Sequence, residues 1–304
     1  MARKRPLTPG GRRGRIEGLL FGGRHVLPDF LIIGAARAGT TTLVEHLAGH
    51  PGVLGFPRRE VHFFDGPRHA LGLGWYRLQM PTAADRRAAI AAGRGPALAG
   101  EKSPFYLADP ETPARVAADL PDVRCIALLR DPAARAISHW NIRRRRGAEE
   151  RPFDVVAAAE LALLEAGRAD ELEAFREESF DDEDEPEGSG GSGRRAPGEA
   201  QRHGSYLVRG LYERQLLRWE AALPAGRLLV LQSERLFADP ASELARVWAH
   251  LGLAPAPVVT EAHRNRRALR GEPIDPATIE RVRAFYRPTY AGLARWLGSV
   301  PDWP

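Results

Sequence analysis

Short apolar runs alternate along the chain with longer amphipathic stretches. The runs at residues 30–33, 53–56, 61–64, 97–99, 123–129 and 228–231 have the composition of buried strands. Amphipathic stretches predict helices at residues 40–50, 113–120, 132–146, 240–251, 276–285 and 289–297. Strands that alternate with helices indicate βαβ units, in which helices cover a parallel sheet. The pattern therefore predicts an α/β protein, a three-layer sandwich with a central, mainly parallel sheet flanked by helices.

Two regions interrupt this pattern. Residues 1–27 begin with a basic sequence rich in Gly and Pro, and they predict a disordered N-terminal tail. Residues 178–203 are first acidic and then rich in Gly and Ser, so they predict a disordered surface insertion. The remainder of residues 28–304 predicts a single domain.

Charge and cysteine content narrow the possible partners. The 304 residues carry a net charge of +5, which favours acidic partners, and Lys4 and Lys102 are the only lysines. The one cysteine, Cys125, lies in an apolar run, so we expect a packed core thiol. No apolar run has the length of a membrane span and no secretory signal follows the basic start, so the expected location is the cytoplasm. The sequence leaves the oligomeric state open.

A glycine-bounded loop, residues 34–39, follows the first predicted strand, and the next helix begins at Thr40. Backbone N–H groups of such a loop, together with the helix N-terminus, form an anion site. The spacing Gly34-x-x-x-x-Gly39 is that of a P-loop, so the predicted fold is P-loop-like. Thr40 stands where a nucleoside triphosphatase has the lysine that reaches the β- and γ-phosphates. The loop therefore predicts a nucleotide with a different 5′ substituent.

Four short elements, in this order, carry a resemblance to a known family. They are Arg37-Ala-Gly-Thr-Thr-Thr-Leu43, Arg59-Glu-Val-His-Phe-Phe64, Glu101-Lys-Ser-Pro104 and Leu129-Arg-Asp-Pro-Ala-Ala-Arg-Ala-Ile-Ser138. Through them the chain resembles the sulfotransferases that use 3′-phosphoadenosine 5′-phosphosulfate (PAPS). It is most similar to the heparan sulfate N- and 3-O-sulfotransferases and their bacterial relatives. The resemblance runs from about residue 28 to residue 297, apart from the acidic insertion.

This resemblance implies a PAPS site with two phosphate contacts. The residues implied around the 5′-phosphate are Arg37, Ala38, Gly39, Thr40, Thr41 and Thr42. Arg130 and Ser138 are implied to clamp the 3′-phosphate, by a charge-assisted fork and a hydroxyl. Arg270 is a further candidate contact to that phosphate. Such a clamp selects PAPS over ATP, whose 3′-hydroxyl is bare.

The resemblance also implies roles in catalysis. Glu60 falls on the position of the family's general base, and His62 is a second base or a substrate contact. Lys102 is expected to point at the transferring sulfonate or the acceptor. Arg37 replaces the family's loop lysine beside the leaving oxygen, and it keeps the charge but is a poor proton donor. No metal is expected, because the nine histidines form no group with ligand spacing.

The acceptor implied is a hydroxyl or amine on a glycan, a glycosylated metabolite or another small molecule, and O- and N-transfer both stay open. A non-catalytic protein of the same fold also stays open, although Glu60 and Lys102 argue against it. Two other functions stay open as well. One is a P-loop-type small-molecule kinase, although the chain lacks the Gly-Lys-Ser/Thr sequence. The other is a basic nucleic-acid-binding protein, suggested by the pI near 9.8 and the arginines at 143–146, although no recognised module is present. No nucleic-acid partner is therefore expected.

Overall fold

The structure, a computed structural model, describes residues 11–57, 60–173, 205–258 and 273–304. The predicted insertion at 178–203 and the candidate Arg270 lie outside the described residues. Core side chains from Val26 to Trp303 belong to one apolar cluster. Residues on both sides of the undescribed segments therefore share a core.

Five parallel strands form the sheet that the described residues contain. They are β1 (Phe30–Gly34), β2 (Val53–Gly55), β3 (Leu98–Lys102), β4 (Arg124–Leu129) and β5 (Leu228–Gln232), in the spatial order β2-β3-β1-β4-β5. Every residue of β1 is buried, as expected for a central strand with both faces covered. The α/β fold with a central parallel sheet is confirmed, and so is a strand at five of the six apolar runs.

One helix precedes the first strand, and the others lie between the strands or in the C-terminal region. Their bounds are α1 (Gly11–Phe21), α2 (Thr40–Ala48), α3 (Leu73–Arg77), α4 (Ala83–Ala91), α5 (Thr112–Asp119), α6 (Pro132–Arg145), α7 (Phe153–Glu165), α8 (Ala169–Glu173), α9 (Tyr212–Ala222), α10 (Ser233–Ala238), α11 (Pro240–Leu251), α12 (Pro276–Tyr286) and α13 (Tyr290–Leu297). None of the helices in the described ranges is both long and apolar enough to span a lipid bilayer.

The connections that leave β1 and β4 run in opposite directions across the sheet. From β1 the chain moves outward to β2, returns to β3 beside β1, and then crosses to β4 on the other side. Because such crossovers are right-handed, the two directions place helices on opposite faces of the sheet. The carboxyl ends of β1, β3 and β4 therefore meet at a topological switch point, where ligands bind in folds of this kind.

The structure differs from two sequence predictions. Residues 61–64 form no strand, because side chains rather than a neighbouring strand bind their backbone groups. The disordered tail predicted for residues 1–27 is wrong for residues 11–24, which form α1 and a short 3₁₀ turn. Helix α1 packs on α3 through glycines, a contact that a hydrophobic pattern does not reveal.

Candidate active site

The loop between β1 and α2 is fixed from several sides. Its Ala35 N–H donates to the carbonyl of Leu128 in β4 (2.8 Å), and Ser233 Oγ of α10 donates to the Ala38 carbonyl (2.7 Å). Gly39, the residue before α2, has φ 92°, in the left-handed region that favours glycine. A Cβ on Gly39 would lie 2.9 Å from the ring of Phe237. The conformation of this loop is therefore fixed by Gly39 and by contacts with β4 and α10.

Two arginines and a serine meet beside this loop. Arg130, directly after β4, donates from Nη1 to the Arg37 carbonyl (3.1 Å). Arg37 Nε lies 3.4 Å from Oγ of Ser138, which is buried on α6. Arg37 thus contacts Ser138 through its side chain and Arg130 through its backbone carbonyl. Two guanidinium groups and a hydroxyl next to a helix N-terminus favour phosphate binding.

Thr40, Thr41 and Thr42 make up the first turn of α2, where backbone N–H groups have no carbonyl of the same helix to bind. Thr40 and Thr42 are buried, and Thr41 is exposed. Since the first turn also carries the positive end of the helix dipole, these residues are suited to an anion, which is what the sequence predicted for residues 37–42.

A buried ionic cluster lies at the carboxyl end of β3. The Lys102 ammonium forms an ion pair with Glu60 Oε1, and Glu60 Oε2 lies 3.2 Å from His62 Nε2. His62 Nδ1 in turn lies 2.9 Å from Asp65 Oδ2. Glu60, His62 and Asp65 are all less than a tenth exposed. We call these four residues the Glu60 cluster.

Backbone contacts hold residues 61–64 in an irregular conformation. The N–H of His62 donates to Ser103 Oγ (3.0 Å), and the N–H of Phe63 donates to the Tyr106 hydroxyl (2.9 Å). His62 itself has φ 48°, a strained value for a residue other than glycine. The segment after β3 therefore orients the imidazole toward both carboxylates.

The charges of the Glu60 cluster stabilise one another. Burial lowers the pKa of His62, but the carboxylates of Asp65 and Glu60 outweigh it and raise that pKa to about 10. Burial raises the pKa of Glu60, but the hydrogen bond from His62 and the charge of Lys102 hold it below the usual range. At neutral pH the cluster thus contains an imidazolium between two carboxylates, and Glu60 is ionised.

A third buried carboxyl, Glu101, lies beside the cluster and supports it. Glu101 accepts hydrogen bonds from Ser103 Oγ and, at 3.1 Å, from the Tyr76 hydroxyl. Its burial raises its pKa to about 7, against the effect of these donors and of His62. Because Ser103 also binds the His62 N–H, Glu101 fixes the serine that positions the imidazole.

Arg135 has a structural role. It lies on α6 but is fully buried, and it donates to the carbonyl of Tyr206. It lines a small cavity together with Ala35 and Phe105. Of the two roles that its sequence position allows, on the helix surface or in the structure of the core, the burial supports the second.

The structure brings the predicted residues together in two groups on one edge of the sheet. Arg37, Arg130 and Ser138 form one, and Glu60, His62 and Lys102 form the other. Sequence reasoning missed Asp65 and gave Ser233 no role in the site. A carboxylate three residues after an imidazole was the available signal for Asp65, whereas the contact of Ser233 with the loop spans 195 positions. In the ranges that the structure describes, no group of three or more His, Cys, Asp or Glu residues is arranged to hold a metal ion.

Comparison with known proteins identifies clear relatives. The family model described as "Sulfotransferase domain" matches residues 27–271. Heparan sulfate glucosamine 3-O-sulfotransferase 3A1 from Homo sapiens is 29% identical over 314 residues, which cover 95% of this chain and 66% of the relative. The Mus musculus protein of the same name is 31% identical over 260 residues, or 86% of this chain and 54% of the relative. The chain thus spans less than two thirds of the length of these relatives.

A solved structure has a similar fold. The crystal structure of a sulfotransferase from Alicyclobacillus acidocaldarius aligns with a TM-score of 0.59 at 23% identity, and the match covers 90% of this chain and 97% of that one. At this identity the likeness shows the fold alone, and it agrees with the α/β arrangement of the sheet and helices.

Proposed function

The chain belongs to the sulfotransferase domain family, and on that premise we propose that it transfers a sulfuryl group from PAPS to a hydroxyl or amine. One observation carries the proposal. The P-loop-like loop after β1, the two arginines Arg37 and Arg130, and the buried carboxylate of Glu60 lie together at the switch point of the sheet. The relatives named for heparan sulfate support a glycan or a glycosylated metabolite as the acceptor.

The residues present fit the two phosphates of PAPS. The first turn of α2 and the loop before it offer backbone N–H groups to the 5′-phosphate. Arg130 and Ser138 lie beside the same loop and suit the 3′-phosphate. Arg37 contacts both of these residues. Its charge can serve either phosphate, so Arg37 is proposed to stabilise the negative charge that grows at the 5′ side during transfer.

Glu60 is proposed as the general base. When PAPS is bound it supplies the sulfuryl group, and the attacking O–H or N–H of the acceptor must lose its proton, which a positioned carboxylate takes up. Glu60 is ionised at neutral pH and is held by His62. Any movement of Lys102 away from Glu60 raises the proton affinity of this carboxylate, since its positive charge lowers the pKa.

Family membership favours this proposal over the two alternatives that the sequence left open. A kinase of the P-loop class needs a lysine where this chain has Thr40. Nucleic-acid binding rested on the general basicity and on the arginines at the end of α6. Two of them, Arg143 and Arg144, donate to nearby backbone carbonyls at Ala148 and Glu150.

The test is transfer from radiolabelled PAPS to a panel of sulfated and unsulfated oligosaccharides and glycosylated small molecules. We expect Glu60→Gln to lower the rate about 10²–10⁴-fold, the usual contribution of a general base. Affinity for adenosine 3′,5′-bisphosphate, measured by calorimetry, should remain, because Glu60 lies outside the phosphate-binding group.

The control is Glu150→Gln, which changes an exposed carboxylate after α6. Full activity in the Glu60→Gln variant removes Glu60 from the role of base. If the wild type binds the bisphosphate tightly but sulfates no acceptor in the panel, the proposal of PAPS as donor is supported and the proposed class of acceptor is contradicted.

A further inference from the structure

Helix α1 presents its large apolar side chains to solvent. Ile16 is 51% exposed, Leu19 80%, Leu20 68% and Phe21 45%. The other large apolar side chains that are exposed in the described residues are scattered: Ile90, Val155, Leu217 and Phe237 lie on four different helices, and Val300 follows α13. An exposed apolar cluster, unlike scattered single residues, marks an interaction site.

Glycines form the inner face of this helix. Gly14, Gly18 and the following Gly22 are buried and recur at every fourth position, so they share one side. This side meets Gly74 at the start of α3: a Cβ on Gly74 would lie 2.6 Å from the Gly18 carbonyl oxygen, and one on Gly22 would lie 2.5 Å from the Gly74 carbonyl oxygen. Backbone therefore packs against backbone, and the usual amphipathic arrangement is inverted.

The outer face is a continuous apolar ridge. Ile16, Leu19 and Leu20 stand at positions i, i+3 and i+4, which place them together on one stripe, and Phe21 adjoins it. Because glycines already fill the contact with α3, these side chains contribute little to the fold. Exposed apolar side chains are unfavourable in water, so we expect a partner outside the molecule to cover them.

Positive charge surrounds the ridge. Arg13, Arg15 and Arg24 are exposed, and residues 1–24 contain seven basic side chains but only one acidic side chain, Glu17. Glu17 is itself paired with Arg13 at 3.1 Å. Apolar residues flanked by arginines on a short helix favour the surface of an anionic bilayer, and 11 residues are too few to cross it.

We propose that α1 docks the protein on an anionic lipid surface, with Ile16, Leu19, Leu20 and Phe21 inserted and the arginines at the headgroups. A second copy of the chain suits this face less well. A symmetric dimer through the ridge brings the same arginines of both copies together, and like charges then repel.

The experiment is vesicle co-sedimentation of the full chain. We expect binding to vesicles of phosphatidylcholine with roughly a third phosphatidylserine, weak binding to phosphatidylcholine alone, and loss of binding as salt is raised. Leu19→Gln combined with Leu20→Gln should weaken binding more than about tenfold, because it removes inserted apolar surface. Arg15→Gln should weaken it about fivefold at low salt.

Matched controls come from exposed side chains elsewhere. Ile90→Gln combined with Leu217→Gln removes apolar side chains that are 51% and 44% exposed on α4 and α9. Arg87→Gln removes an exposed arginine from α4. Both controls should bind vesicles as the wild type does, and all variants should unfold at a similar temperature.

Wild-type protein that does not bind the phosphatidylserine vesicles overturns the proposal. Equal binding by the Leu19→Gln/Leu20→Gln variant and its control does so as well. A dimer in light scattering that this variant makes monomeric, without vesicle binding, shows that the ridge binds a second copy and also overturns it.

Discussion

At the scale of single residues, the imidazole of His62 controls the charge of the Glu60 cluster. Asp65 is the largest of the effects that raise the pKa of His62, and burial alone lowers that pKa. Asp65 therefore contributes most to keeping His62 protonated. In its protonated form it donates to Glu60 and keeps that carboxylate oriented, so Asp65 acts on the proposed base through His62.

Replacement of Asp65 by Asn tests this dependence. We expect the pKa of His62 to fall below about 10, because burial still lowers it and the largest effect that raises it is gone. NMR titration of the imidazole resonances measures the change. Asp119→Asn is the matched control, since Asp119 Oδ2 lies 2.8 Å from His69 Nε2 in a separate pair. A His62 pKa that is the same in both variants contradicts the role of Asp65.

The raised pKa of His62 also makes the stability depend on pH. The folded value, about 10, exceeds the ordinary value of 6.5, so the folded state binds this proton more tightly. The resulting stability is fully present below pH 6.5 and is lost as the pH rises through about 10. In chemical denaturation, the free energy of unfolding of Asp65→Asn should therefore change less with pH across this window than that of the wild type.

At the scale of elements, the β1–α2 loop depends on Gly39. An alanine there must adopt φ 92° and place its Cβ 2.9 Å from the ring of Phe237. We expect Gly39→Ala to lower the free energy of unfolding by about 1–2 kcal/mol through backbone strain, and to weaken binding of adenosine 3′,5′-bisphosphate. Denaturation and calorimetry measure the two effects.

The control for that loop variant is Gly23→Ala, because nothing lies within 4 Å of a Cβ at Gly23 and its φ is not in the left-handed region. A Gly39→Ala variant with the stability and affinity of this control shows that the loop tolerates a different backbone shape.

Two of the strands that the sequence predicted correctly are apolar runs buried on both faces. β1 and β4 consist of such runs, and each ends near its predicted position. Residues 61–64 have the same apolar character but form no strand, because Ser103 and Tyr106 bind their backbone N–H groups. These contacts join residues about 40 positions apart, which no local pattern encodes. Helix α1 escaped prediction for another reason, since its buried face consists of glycine.

The candidate site was predictable where a motif and a strand end coincide, as at Arg37 and Lys102. The partners of these residues were not predictable. Arg37 lies beside Ser138, 101 positions away in the chain. Lys102, at the end of β3, forms its ion pair with Glu60, which lies in the connection between β2 and β3. The directions of the side chains at the switch point depend on how several elements pack together. A local sequence pattern therefore does not predict them.

At the scale of the whole molecule, the proposed donor site joins elements that are distant in the chain. The loop follows β1, Arg130 follows β4 and Ser138 lies on α6, so a ligand with both phosphates links the two sides of the central strand. A ligand that binds only the folded state stabilises it by about 2.7 kcal/mol at 100 times its Kd. Ligand binding should therefore raise the unfolding temperature of the whole domain.

We expect adenosine 3′,5′-bisphosphate to raise Tm by several degrees and ADP at equal concentration to raise it much less, because ADP has no 3′-phosphate. Differential scanning calorimetry checks this. Ser138→Ala should reduce the difference between the two ligands, whereas Ser242→Ala, on α11, should leave it unchanged. Equal shifts with both ligands contradict the assignment of Arg130 and Ser138 to a 3′-phosphate.

Cys125 lies in β4 with no exposed surface, and burial raises the pKa of its thiol. It is the only cysteine of the chain. Thiol-directed reagents therefore have no natural target on the folded protein, since they react with an accessible thiolate. A single cysteine introduced on α1 or beside the Glu60 cluster can then carry a fluorophore or spin label at one known position, without prior removal of the native residue.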